Sequence, residues 1–145
     1  MREVTKTALV PYTPQQMFVL VADFEHYPQF VPWVERSDVL ERGADFVVGR
    51  LTMHRSGIRE SFVTKNVMRA PDQIEMRLVE GPFKTLDGLW SFEDLAGRGT
   101  KVGLRMRFEF SNAMLSLLLS RTFEKSCAEL VDAFVDRARD VYGRS

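Results

Sequence analysis

His26 and His54 are the only imidazoles in the chain, and neither stands in a catalytic motif. His26 lies among aromatics in F-E-H-Y-P-Q-F. His54 is out of phase with Leu51 and Met53, which point inward, so both histidines read as surface groups. A G-x-S-x-G elbow, a Walker A loop, G-x-G-x-x-G, H-E-x-x-H and an aspartate-rich calcium loop are all absent. Cys127 is the one cysteine, which excludes an intrachain disulfide and a thiolate metal site. Nucleophilic hydrolysis and metal chemistry therefore have little to work with. Two other groups of residues carry more information. Glu60, Thr64 and Asn66 recur in period two with Phe62, so they share its face. If that face is inward, these polar groups need partners: a ligand head group, waters, or one another. Arg50, Arg59, Lys65, Arg77, Lys101, Arg105 and Arg107 take the opposite phase, with Glu75, Glu93 and Glu109 as partial offsets.

The elements that place these residues are legible from periodicity and turn chemistry. Residues 3–10 read as a first strand ended by Pro11 and Pro14. Thr13 is suited to cap a helix over 14–22, with Pro14 at its first position. Pro28 and Pro32 then restrict residues 24–33 to short helical turns and a corner. Period-two strands follow at about 35–42, 46–55, 58–68, 73–80, 84–95 and 100–110, separated by Gly- and Pro-bearing turns. In the last strand Thr100, Val102, Leu104, Met106, Phe108 and Phe110 share one face, and Lys101, Arg105, Arg107 and Glu109 the other. One apolar and one wet face predict an antiparallel sheet covered on one side. The cover is a helix running from a Ser111 or Asn112 cap to Tyr142, stopped by Gly143. Its apolar stripe includes Leu115, Leu118, Leu119, Phe123, Cys127, Leu130 and Phe134. The predicted fold class is α+β: a curved seven-stranded antiparallel sheet around one long C-terminal helix, with two short helices after the first strand.

Composition sets the outer bounds. The chain has 145 residues, 45% of them hydrophobic, which suits one domain over 1–145 with a core that needs no disulfide or metal. Twenty basic and twenty acidic residues cancel, which excludes nucleic-acid binding by bulk charge while leaving a local patch open. The first residues lack the apolar stretch of a secretory signal, and no run approaches a membrane span. The expected place is the cytoplasm, with peripheral contact at the inner face of a bacterial membrane left open.

Four words carry a resemblance: Y-P-Q-F-V-P-W at 27–33, F-V-T-K-N at 62–66, I-E-M-R-L-V-E-G-P-F-K-T-L-D-G-L-W-S-F at 74–92, and V-D-A-F-V-D-R-A-R-D-V-Y-G at 131–143. In this order the chain resembles the coenzyme Q-binding/RatA family of the START-like polyketide cyclase/dehydrase superfamily, which has the helix-grip fold. The segment A-M-L-S-L-L-L at 113–119 departs from it by being more apolar and lacking a glycine.

The resemblance implies two functions. One is binding of ubiquinone or a related polyprenyl lipid, without catalysis and with no required cofactor. The other is a toxin that binds the large ribosomal subunit and blocks subunit association. A cyclase-like enzyme is a third and weaker implication. A ligand would be held on the concave side by Gly49, Leu51, Met53, Glu60, Phe62, Thr64, Asn66, Met76, Leu78, Leu86, Gly88 and Trp90, with Leu118 and Phe123 from the helix. Gly49 and Gly88 predict a partly empty interior, because they remove side chains from the inner face. Tyr27, Phe30, Trp33 and Phe83 are expected either at its entrance or as a hydrophobic plug. The basic outer residues are expected to form either a solvated sheet face or a contact for ribosomal RNA or anionic lipid.

Overall fold

The computed structural model describes residues 2–55 and 57–143. Its strands are β1 (Arg2–Val10), β2 (Val34–Arg42), β3 (Phe46–Arg55), β4 (Ile58–Arg69), β5 (Gln73–Glu80), β6 (Phe83–Asp94) and β7 (Thr100–Phe110). Between β1 and β2 come α1 (Pro14–Ala22) and a 3-10 helix (Phe24–Gln29), and α2 (Ala113–Tyr142) follows β7. All neighbouring strands are antiparallel, in the spatial order β1-β7-β6-β5-β4-β3-β2. The chain therefore meanders from β2 to β7, and β1 completes the sheet against β7. This is the helix-grip architecture expected from the sequence.

Local chemistry explains the boundaries. Thr13 Oγ1 accepts from the Gln16 N–H at 3.1 Å, and Gln16 Oε1 accepts from the Thr13 N–H at 2.9 Å. This reciprocal cap starts α1 at Pro14, where a missing N–H costs nothing. Asn112, rather than Ser111, caps α2 by accepting from the Leu115 N–H at 2.9 Å. At the other end Gly143 sits at φ +80°, in the left-handed region that glycine takes readily, and its N–H reaches the Arg139 carbonyl. Register shifts between Val34/Arg36, Val39/Glu41, Val63/Thr64 and Phe83/Thr85 bend the sheet so that it can wrap α2.

The concave face and α2 enclose the core. Trp90, Phe108 and Phe134 are the largest fully buried side chains. Phe134, in the C-terminal half of α2, meets Tyr27, Phe30 and Trp90 edge-on at 5.1–5.2 Å between ring centres. Such contacts add roughly 0.5–1.5 kcal/mol each to the burial itself.

Two expectations about the interior are corrected. Leu118 does not face the sheet: it is 58% exposed, and Leu119, one step round the helix, is buried in its place. The stripe of α2 contains both residues, but a helix turns 100° per residue and only one can point at the core. Gly49 and Gly88 also leave no empty space. A Cβ on Gly49 would lie 2.5 Å from the Phe24 ring, and one on Gly88 would lie 2.6 Å from Met76 Cε and 2.8 Å from Met106 Sδ. Each glycine admits a neighbour's side chain, and that side chain fills the gap.

Candidate functional site

Several concavities lie on the described part of the molecule. The first is inside the grip, between the sheet and the first turns of α2. Met53, Ile58, Glu60, Phe62, Phe83 and Phe123 line most of it, together with Arg55, Pro82, Phe110, Leu119 and Thr122. Its volume is about 40 Å³, space of the order of a few waters, against roughly 300–1,000 Å³ for a drug-sized ligand site. The walls are packed aromatics: Phe83 stacks on Phe110 at 4.6 Å and meets Phe62 and Phe123 at 5.5 and 5.1 Å.

The polar trio divides. Thr64 donates to Asn66 Oδ1 at 2.9 Å, and both residues are buried. Of the alternatives open in the sequence, the internal bond is the one formed. Glu60 is half-buried, lines the cavity, and has no hydrogen-bond or ion-pair partner among the described residues.

The expected entrance aromatics separate as well. Phe83 lines the cavity, whereas Phe30 and Trp33 line a different, outward cleft between the 3-10 helix and α2, with His54, Arg55 and Glu129. Tyr27 is a core residue whose hydroxyl donates to the Val21 carbonyl, and burial raises its pKa above the ordinary tyrosine value. Leu51, Leu86 and Trp90 are buried core as well, and Met76 and Leu78 are half-buried beside them.

Arg55 sits between the cavity and the outward cleft. It donates to Glu129 at 2.6 Å and to Ser126 at 3.1 Å, which ties the end of β3 to the middle of α2. The bond from Arg55 holds the Glu129 carboxyl below the usual carboxylate range. Sequence reading overlooked Arg55, although its phase with Leu51 and Met53 points it inward. It placed Leu119 in the helix stripe but named Leu118 for the site, although i,i+4 spacing from Phe123 favours Leu119.

On the convex face all seven predicted basic residues are exposed: Arg50, Arg59, Lys65, Arg77, Lys101, Arg105 and Arg107. They are not equivalent. Arg59 holds Glu35 with two bonds of 2.7 and 2.8 Å and lowers that carboxyl's pKa. Arg107 pairs with Asp87 at 3.1 Å, and Lys65 lies over the Phe46 ring at 4.7 Å. Arg50, Arg77, Lys101 and Arg105 have no ion-pair partner among the described residues. Among the described residues no group of three or more His, Cys, Asp or Glu is placed to hold a metal ion. No described helix is long and apolar enough to cross a membrane.

Comparisons with known proteins fit this geometry. Residues 10–135 match the family model described as polyketide cyclase / dehydrase and lipid transport. The chain is 41% identical to a protein named ribosome association toxin RatA from Vibrio cholerae, over 99% of both chains. It is 28% identical to the mitochondrial coenzyme Q-binding protein COQ10 of Drosophila melanogaster, over 93% of this chain and 57% of that one. Among solved structures, the 18 kDa protein CC1736 from Caulobacter crescentus is 31% identical, with a TM-score of 0.79 over 99% of this chain and all of that one. The Zhui aromatase/cyclase from Streptomyces sp. R1128 superposes with a TM-score of 0.88 over 97% of this chain and 95% of that one. At 21% identity it shares the fold alone. By sequence along most of its length and by fold, the chain belongs to the START-like polyketide cyclase/dehydrase and lipid-transport family, in the branch that includes the RatA and COQ10 proteins.

Proposed function

We propose that this protein associates with the ribosome, docking on the large subunit through the convex face of its sheet, and does so without catalysis. The observation that carries the reading is the 41% identity, over 99% of both chains, to a protein named as a ribosome association toxin. The convex face supports it. Five exposed basic groups there, Arg50, Lys65, Arg77, Lys101 and Arg105, have no carboxylate partner among the described residues, on a chain whose net charge is zero, so the positive field is local. Charge of this kind binds phosphate backbones and weakens with salt, roughly one counterion per phosphate contact.

Co-sedimentation with purified large subunits tests the reading. Wild type is expected to pellet with subunits at low salt and to lose most binding between 50 and about 300 mM KCl. The variant carrying Arg50→Glu, Lys65→Glu, Lys101→Glu and Arg105→Glu is expected to bind at least tenfold more weakly. Its melting temperature should stay close to wild type, because exposed substitutions usually shift stability by less than ~0.5 kcal/mol each. Binding that survives both high salt and charge reversal would remove this face from the interface.

A second reading, carriage of an apolar ligand such as a prenyl quinone, is favoured by the aromatic cavity and its unpartnered Glu60. At about 40 Å³ the cavity must widen to take a quinone ring. Native mass spectrometry of protein from a quinone-containing host separates this reading from the first. A bound prenyl lipid supports it, and a mass equal to the bare chain counts against it.

A further inference from the structure

We infer that the crevice near the turn end of the β5–β6 hairpin, where the two strands splay, binds the phosphodiester backbone of duplex RNA, with Arg77 and Arg105 as its phosphate contacts and the Thr85 hydroxyl as a donor in its wall. The choice of RNA rests on the ribosome reading above, and the place rests on geometry.

β5 and β6 pair from Gln73↔Ser91 only as far as Arg77↔Asp87. Beyond Arg77 the ladder stops, although both strands continue toward the turn at Gly81 and Pro82. β5 keeps its other partner, with Val63 opposite Glu80 across a register shift. The β6 side is disturbed too, by the shift between Phe83 and Thr85 against β7. Two irregularities thus pull the hairpin apart and leave a crevice of about 500 Å³.

The charges lining it are Glu75, Arg77, Lys84, Asp87, Arg105 and Arg107. Four are already engaged: Asp87 with Arg107 at 3.1 Å, Glu75 with Arg69 at 3.6 Å, and Lys84 with Glu109 at 3.7 Å. Arg77 and Arg105 are exposed and have no carboxylate partner among the described residues. Thr85 adds a second, independent sign. Its Oγ1 is buried with no hydrogen-bond partner, one of two such side-chain atoms among the described residues. A buried hydroxyl without a partner is uncommon in a folded protein, and a χ1 rotation that turns it into the crevice lets it meet an acceptor there.

The chemistry selects phosphate. Guanidinium presents a planar fork that matches phosphate oxygens, and hydroxyls are regular phosphate donors. Arg77 and Arg105 stand on strands either side of β6, two strand spacings or ~9–10 Å apart, with a further offset of two residues along the sheet. That separation suits two phosphates of one backbone better than a single small anion. No aromatic side chain lines the crevice; Leu78 and Leu89 do. Single strands are gripped by stacking on aromatics, so a surface without them suits the backbone of a duplex.

Fluorescence anisotropy with a labelled 20-base-pair RNA duplex, titrated between 50 and 300 mM KCl, tests the site. The double variant Arg77→Gln, Arg105→Gln is expected to bind at least tenfold more weakly at 50 mM KCl, with the salt slope reduced by about two. The matched control Arg98→Gln, Arg121→Gln removes the same charge from two exposed positions that are not among the basic residues of the convex face, and should change affinity less than threefold. Thr85→Val should weaken binding severalfold with the slope unchanged. Equal losses in the two double variants would mean a diffuse field and overturn the site, as would undiminished duplex binding in Arg77→Gln, Arg105→Gln. Tighter, Arg77-dependent binding to phosphatidylglycerol vesicles would give the phosphate to lipid and overturn the RNA assignment. Large-subunit sedimentation of the same variants keeps the two readings apart. If Arg77→Gln, Arg105→Gln retains subunit binding, the crevice fails and the ribosome reading stands. If wild type ignores subunits yet binds duplex through these arginines, the ribosome reading fails and the crevice stands.

Discussion

At the scale of single residues, the two inner-face glycines separate what a sequence shows from what it hides. Both lie in strand interiors, where glycine loses packing and entropy, so something must compensate. The sequence shows the missing side chain but not the atom that replaces it. At Gly49 the replacement is the Phe24 ring, brought over from the 3-10 helix, and at Gly88 it is the ends of Met76 and Met106. The two sites should differ on substitution. Gly49→Ala drives a Cβ to 2.5 Å from a ring that packs against Tyr27, and is expected to cost ~1–3 kcal/mol. Gly88→Ala meets flexible methionine ends and should cost clearly less. Urea melts of both variants check the order, and equal or reversed costs would refute this account of the packing. The polar trio makes the same point. Period two put Glu60, Thr64 and Asn66 on the inner face, but only three dimensions show that Thr64 and Asn66 bond each other.

At the scale of elements, most of the architecture was legible, because each strand, turn and cap had a local cause. Strands 46–55, 73–80 and 100–110 were readable to the residue from alternation alone. The cavity was less so, since its walls come from β3, β4, β6, β7 and α2, and its size depends on how tightly these close. The Arg55–Glu129–Ser126 contact is part of that closure, and it carries a pH signature. Bonding to Arg55 lowers the Glu129 pKa in the folded state from its ordinary value of 4.5. A lowered carboxylate adds stability above its unfolded pKa and loses it as pH falls through the folded one. Glu129→Gln should therefore be less stable than wild type at pH 7, and the gap should close as pH drops below about 4.5. The side chains of Arg55 and Glu129 are 22% and 39% exposed, so the gap at pH 7 is expected to be no more than ~1 kcal/mol. Melts at pH 7, 5 and 3.5 check it, and a gap that widens toward acid would contradict the sign.

At the scale of the whole molecule, α2 is the element that turns a one-sided sheet into a closed structure. Its stripe of Leu119, Phe123, Cys127, Val131, Phe134 and Ala138 is buried along most of the helix. Phe134 stands at the crossing of α2, the 3-10 helix and β6. Phe134→Ala should cost ~3–5 kcal/mol and reduce the cooperativity of melting, as expected for a buried ring with little room to collapse around the gap. Leu117→Ala on the same helix, 83% exposed, should change stability by less than ~0.5 kcal/mol. Circular-dichroism melts distinguish the two, and similar costs would mean that α2 is not seated as described.

The closure of β1 on β7 also sets a timetable. Val10 lies opposite Thr100 and Arg2 opposite Phe108, so each β1 residue pairs with one made about a hundred residues later. At synthesis rates of ~5–20 residues per second, the first strand waits roughly 5–20 s for its neighbour. During that time β2 to β6 can form hairpins in sequence, each strand meeting the one just made. β1 has no such local partner. Its apolar positions, Val4, Ala8 and Val10, remain uncovered until nearly the whole chain has left the translating ribosome. The interval between starting the chain and sealing its sheet is thus longest for the segment made first, and that segment is where a nascent-chain chaperone has most to hold.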